Sequence, residues 1–161
     1  MTTKTAFQAN YTYHLTRNYY GSLARPGEPV AIDEGLASGD LEPGDAVYYS
    51  SGFVKTDSSN LIETIGIVLY DASHVPDESG NVIIKSGSPV RVGIVGSFYA
   101  KAGSALTYGQ PVIWDADADD WTVLSTIPAG VDANRKNPVS CADFSVADGE
   151  LVVLRFHGPI R

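Results

Sequence analysis

The chain has a single cysteine, Cys141, in 161 residues, so no intrachain disulfide can form and stability must come from packing. With no histidine near it in sequence, Cys141 reads as a small buried hydrophobe. The three histidines, His14, His74 and His157, stand far apart, and none has a metal-ligand spacing. Long apolar runs are missing too. The longest, Ile65-Gly66-Ile67-Val68-Leu69-Tyr70, is far too short to span a bilayer. Met1 to Thr5 are polar and no apolar stretch follows them, so no signal peptide is visible and synthesis in a cytoplasm is expected. Basic charge is scarce: 11 Lys and Arg stand against 19 Asp and Glu, a net charge of -8. That balance argues against a broad nucleic-acid-binding face, and nothing points to a membrane.

Catalytic signatures are equally thin. No Gly-x-Gly pair occurs, which removes a dinucleotide fingerprint, and no Gly-Lys-Ser/Thr occurs, which removes a phosphate loop. Gly35 and Gly39 bracket Ala37, where a hydrolase elbow needs serine. His157 ends an apolar strand and reads as a strand-terminal polar group. No enzyme class gains support, and no cofactor is implied.

What is present is β chemistry. Sixteen glycines and nine prolines are spread along the chain, the pattern of many turns between short strands. Val30 to Ile32, Ala46 to Tyr49, Phe53 to Lys55, Ile65 to Tyr70, Val82 to Lys85, Val90 to Val95, Pro111 to Trp114, Trp121 to Leu124 and Leu151 to His157 are the expected strands. They are rich in Val, Ile, Tyr and Trp and bounded by Gly-containing turns such as Glu42-Pro43-Gly44-Asp45. No helical apolar period is found. The expectation is an all-β fold: a compact sandwich or barrel of short antiparallel strands with an extended N-terminal arm.

Charge is segregated. Up to Gly27 the chain has Lys4, Arg17 and Arg25 and no acidic residue, whereas the remainder holds all 19 carboxylates. The same arm, residues 1–27, concentrates Phe7, Tyr11, Tyr13, Tyr19 and Tyr20. Tyr11, Tyr13 and Leu15 alternate with Thr12 and His14 as in a strand, with no partner strand within hairpin distance. Such a segment either lies across its own domain or reaches a neighbour. The second option makes Phe7, Tyr11, Tyr13, Arg17, Tyr19, Tyr20 and Arg25 a clamp. The aromatics supply contact area, about 150–250 Å² each, and the arginines pair with carboxylates.

The remainder, 28–161, reads as one β domain holding an internal repeat. Leu41-Glu42-Pro43-Gly44-Asp45-Ala46-Val47-Tyr48-Tyr49 aligns with Leu106-Thr107-Tyr108-Gly109-Gln110-Pro111-Val112-Ile113-Trp114, and Pro29 to Ile32 matches Pro89 to Val92. Two related units, about 28–70 and 82–125, are expected, followed by a C-terminal strand.

One constellation could hold a metal. Asp115, Asp117 and Asp119 alternate like the first ligands of a calcium loop, but Asp120 stands where that loop needs Gly and Thr126 where it needs Glu. An acidic turn between two strands is the simpler reading. Trp114 and Trp121 flank it, and read more simply as a cross-strand pair than as a sugar-stacking platform.

The ordered run Val95-Gly96-Ser97-Phe98-Tyr99-Ala100-Lys101-Ala102-Gly103, then Leu106 to Asp115, resembles a family of small tailed-phage capsid cement (decoration) proteins with Gly-Asp-x-Val repeats. Leu41 to Val47, Ile65 to Leu69 and Asp148 to Leu154 resemble further elements of that family, so the resemblance covers residues 40–156. Gln110 departs from the usual Asp, and the arm lies outside the core pattern. The resemblance implies a virion structural protein on the outer surface of a phage head. It implies contacts with the major capsid protein and a homotrimer at three-fold or quasi-three-fold sites. The alternative is a carbohydrate- or ligand-binding β module of a phage fibre.

Overall fold

A computed structural model of the chain describes residues 20–71, 73–126 and 135–159. The strands are β1 (Ala31–Leu36), β2 (Ala46–Tyr49), β3 (Phe53–Lys55), β4 (Gly66–Val68), β5 (Pro89–Lys101) and β6 (Leu106–Thr107). They continue as β7 (Pro111–Asp115), β8 (Asp120–Val123), β9 (Val139–Cys141), β10 (Ser145–Val146) and β11 (Leu151–His157). Two single-turn 3-10 helices, Leu61–Glu63 and Leu124–Thr126, complete the described elements, and no α-helix occurs among them.

One sheet runs β3-β2-β4-β5-β11-β9-β7-β8, with β1 also on β5, and every pairing is antiparallel. The order is two copies of one pattern. A hairpin (β2-β3, β7-β8) pairs with a short strand (β4, β9), which pairs with a long one (β5, β11). Each copy closes on itself. A parallel bridge joins Ala37 to Phe53 in the first and Ala102 to Trp121 in the second. Beside each bridge runs a backbone bond, Ser38 N–H to Phe53 O at 2.8 Å and Gly103 N–H to Trp121 O at 2.7 Å. The body is thus a tandem of two small barrels sharing β5. The front half of β5 closes the first barrel, and its back half opens the second.

The turns repeat with the strands. Glu42–Asp45, Lys85–Ser88, Thr107–Gln110 and Ala147–Glu150 each close with a fourth-residue N–H to first-residue C=O bond of 3.0–3.2 Å. Their third residues, Gly44, Gly87, Gly109 and Gly149, have φ of +95°, +87°, +84° and +83°, the left-handed position that a type II turn reserves for glycine. A buried apolar residue precedes each turn, and these pair as Leu41 with Ile84 and Leu106 with Val146.

Two cores follow. Ala37, Leu41, Val47, Phe53, Ile84 and Val92 fill the first barrel, and Phe98, Leu106, Trp114, Trp121, Leu154 and Phe156 fill the second. The tryptophans also tie the barrels together. Trp121 Nε1–H donates to Gly44 O at 3.0 Å, and Trp114 Nε1–H to Thr56 O at 3.1 Å.

Three expectations need correction. The repeat boundaries at about 28–70 and 82–125 move, because the units run from β1 to mid-β5 and from mid-β5 to β11. The match of Pro29–Ile32 to Pro89–Val92 has no structural counterpart: Pro89 opens the strand equivalent to β11, while Pro29 leads into β1. Val82 to Lys85 is not a strand, since only Ile84 pairs there, through its bridge to Leu41.

Candidate functional site

Phe7, Tyr11, Tyr13, Arg17 and Tyr19 lie outside the described residues; the root of the arm does not. From Tyr20 the chain runs along the edge of β5. Gly21 N–H donates to Tyr99 O at 2.8 Å, Tyr99 N–H to Ser22 O at 2.9 Å and Ala24 N–H to Ser97 O at 2.8 Å. Leu23 sits opposite Phe98, which pairs on its other edge with Leu154 of β11. Residues 20–24 therefore cover one edge of β5 while β11 covers the other.

Gly21 makes this possible. Its φ is +79°, and a Cβ there would lie 2.3 Å from Val68 O, so only glycine lets the segment press onto β4. Tyr70 N–H also bonds to Gly21 O at 3.2 Å. The half-buried Tyr20 side chain packs on Gly44, where an added Cβ would lie 3.0 Å from Tyr20 Cβ, and burial pushes the phenol pKa up. The charge break after Gly27 is not a break in packing.

Arg25 contacts its own body. Its Nη2 donates to Ala142 O at 2.8 Å, and its Nη1 lies 3.5 Å from Glu28 Oε1. Glu28 is the hub of this anchor. It accepts from Ser97 Oγ at 2.7 Å and from Arg155 Nη2 at 3.0 Å. The Ser97 hydrogen bond foremost, then the charge and hydrogen bond of Arg155, hold its carboxyl below the usual range against the opposing pull of burial. A hydrogen bond with Tyr108, together with Glu28, keeps Arg155 firmly protonated.

The acidic turn is used structurally. Asp115 Oδ1 accepts the backbone N–H of Asp117 at 3.0 Å and of Ala118 at 3.3 Å, while Asp119, at φ +56°, pairs with Lys55 at 2.8 Å. Among the described residues no group of three or more His, Cys, Asp or Glu is arranged to hold a metal. Trp114 and Trp121 meet edge-to-face at 5.4 Å, each 1% exposed. A buried pair offers no platform to a sugar. His157 Nε2 lies 2.9 Å from Ser140 Oγ, and burial, then the neighbouring arginines, lower its pKa. Cys141 is buried, which pushes its thiol pKa up.

Sequence reasoning did not anticipate the exposed apolar surface. Phe144 is 89% exposed at the corner between β9 and β10, with Tyr108 and Leu151 also exposed on the second barrel. On the first barrel Ile32 and Leu36 are exposed on β1 and Val30 just before it, as are Tyr49 and Val75 elsewhere. Single exposed side chains need no special account, but an exposed strand does.

Comparison with known proteins decides the family. The description "Structural cement protein (E217 gp24/Pam3 gp6)" belongs to a family that matches residues 7–157. The chain belongs to this family of structural cement proteins. The match begins at residue 7, well before residue 40, so most of the N-terminal arm falls inside it. No curated protein matches the chain. Among solved structures, the head fibre gp8.5 N base of bacteriophage phi29 is similar at 12% identity and a TM-score of 0.42. That match covers 83% of this chain and 99% of the other. This cement protein is a structural component of a phage capsid.

Proposed function

We propose that this cement protein attaches to the outer surface of a phage head and bridges neighbouring subunits of the major capsid protein. It acts there as a homotrimer at three-fold or quasi-three-fold sites. A cement needs a rigid body and adhesive surface rather than a reaction centre. Two closed barrels, locked by the tryptophan bonds, suit that demand, because a rigid body loses little freedom on attachment.

The observation that carries the reading is the anchored root of the arm. Gly21 to Arg25 are stitched to β5 and to Ala142, so pull on the preceding residues is transmitted to the body. Those preceding residues, with Phe7, Tyr11, Tyr13, Arg17 and Tyr19, form the clamp. Tyr20 and Arg25 serve as its base. Its aromatics supply buried area, and Lys4 and Arg17 supply charge toward acidic groups on the neighbour.

The experiment is cosedimentation with capsids that lack the protein. The full chain should pellet with them and raise their resistance to heat. The chain lacking residues 2–19 should remain folded and stay in the supernatant. Full binding by the truncated protein would rule out the clamp.

A further inference from the structure

The two barrels differ at one edge. In the second barrel the opening strand is the back half of β5, and residues 21–24 add a strand to its free edge at Ser97–Tyr99. In the first barrel the opening strand is β1, which pairs with β5 on one edge. Its other edge meets β3 only at the end of the strand, through the Ala37–Phe53 bridge; among the described residues, no strand pairs with that edge over Ala31–Gly35. The consequence is visible in burial. Ser97 and Phe98 are fully buried, whereas their counterparts at the same spacing from the bridging alanines, Ile32 and Asp33, are exposed with their neighbours Ala31 and Glu34. An exposed strand that carries Ile32 and Leu36, and whose outer N–H and C=O groups from Ala31 to Gly35 no described residue pairs, is a template for strand addition.

We propose that the outer edge of β1 receives the Tyr11–Leu15 segment of a second copy of this cement protein, linking copies arm to body. The inference deepens the clamp reading and rests on it: the neighbour gripped by the Tyr11–Leu15 part of the arm is another copy of the chain on the same head. Three observations select this occupant. The fold already places the root of the same arm on the equivalent edge of the other barrel. Tyr11, Tyr13 and Leu15 alternate with Thr12 and His14, the pattern of an added strand, which shows apolar groups to one face. Charge is complementary as well. The arm holds Lys4 and Arg17 with no carboxylate, while β1 exposes Asp33 and Glu34, and Asp71 lies with Glu34 in the shallow groove alongside. Arg91 in that groove is engaged by Glu34 at 3.4 Å.

Hydrogen exchange on the full-length protein tests this. The β1 amides that do not point at β5 should be protected at high protein concentration and lose protection on dilution. A synthetic peptide of residues 7–19 should restore protection in the dilute protein, while a peptide of scrambled order should not. Asp33→Lys should weaken the concentration-dependent protection. Amides of β11 serve as the internal check that each protein is folded. Amides on β1 that exchange freely at every concentration, with or without the peptide, would overturn the inference. So would protection independent of dilution, which would mean that the chain's own arm covers the edge. Capsid cosedimentation of the same proteins reads the clamp separately. A protein whose arm is needed for capsid binding but never protects β1 contradicts the edge inference alone.

Discussion

Asp45 and Gln110 do the same task in the two barrels with different chemistry. Each follows the turn glycine, and each side-chain oxygen accepts the N–H three residues before it, from Glu42 at 2.9 Å and from Thr107 at 2.8 Å. Glu150 repeats the arrangement a third time, accepting from Ala147 N–H at 3.1 Å. Gln110 performs it without charge, and Asp45 performs it while buried.

That contrast predicts a pH dependence. Burial foremost pushes the Asp45 carboxyl up to about 7 from 3.8, against the opposing pull of the Glu42 N–H and of Lys55. Below 3.8 the group is neutral in both folded and unfolded chains. Between 3.8 and about 7 the folded chain keeps a proton that the unfolded chain has lost, so stability falls as pH rises through this window and is flat above it. Asp45→Asn keeps the acceptor and removes the charge. Thermal melts should show the variant stabilised at pH 8, on the order of a few kcal/mol at most, and little changed near pH 4. A lower Tm than the wild type at pH 8 would contradict the assignment.

Trp121→Phe keeps an aromatic core group but removes the donor to Gly44 O. The buried carbonyl is then left unsatisfied, at about 1–3 kcal/mol, with a further loss from the smaller ring. Denaturant melts should show a lower midpoint with one cooperative transition. Two separated transitions would mean that the barrels unfold independently of this bond.

Gly21→Ala should dislodge the root of the arm while leaving both barrels closed. The methyl group would collide with Val68 O, and φ +79° is itself unfavourable for alanine. Hydrogen exchange of the Ala24 amide, which donates to Ser97 O at 2.8 Å, reads this directly: the variant should exchange much faster than the wild type, and equal rates would refute the packing role.

Glu28→Gln attacks the same anchor through its charge. Glu28 is held below its ordinary pKa, chiefly by the Ser97 hydroxyl and then by Arg155. Its contribution is therefore present above the unfolded carboxyl value and is lost as pH falls through the lowered folded value. Protection of the Ala24 amide should decline in acid in the wild type and be weak already at neutral pH in the variant.

Much of the β body was legible because its signals are local. The Leu41 and Leu106 segments announced both turns, since a buried apolar residue, a left-handed glycine and a launching strand need particular residue types in order. The hairpins around Ser51-Gly52 and around Asp115–Asp120 were legible for the same reason. Other features depend on contacts distant in sequence. Gly93 and Gly96 interrupt the apolar pattern of β5, so its 13 residues read as a strand ending at Val95. The polar residues Asp33 and Glu34 hid the length of β1, because an exposed strand has no buried face to impose a pattern. The short strands Val139–Cys141 and Ser145–Val146 are too brief to show a period. Phe53 and Trp121 close equivalent barrels yet share no local motif, so the extent of the repeat emerged only from the pairing. Of the clamp residues, Arg25 looked available in sequence, and only the fold reveals its bond to Ala142 O.

The central claim is that this cement protein grips a phage head through its N-terminal arm. Its most direct test is binding to capsids lacking the protein, comparing the full chain with one lacking residues 2–19. The full chain should bind saturably and delay heat-induced rupture of the shell, while the truncated chain, folded by its melting profile, should do neither. Equal binding and equal protection by the two proteins would contradict the account.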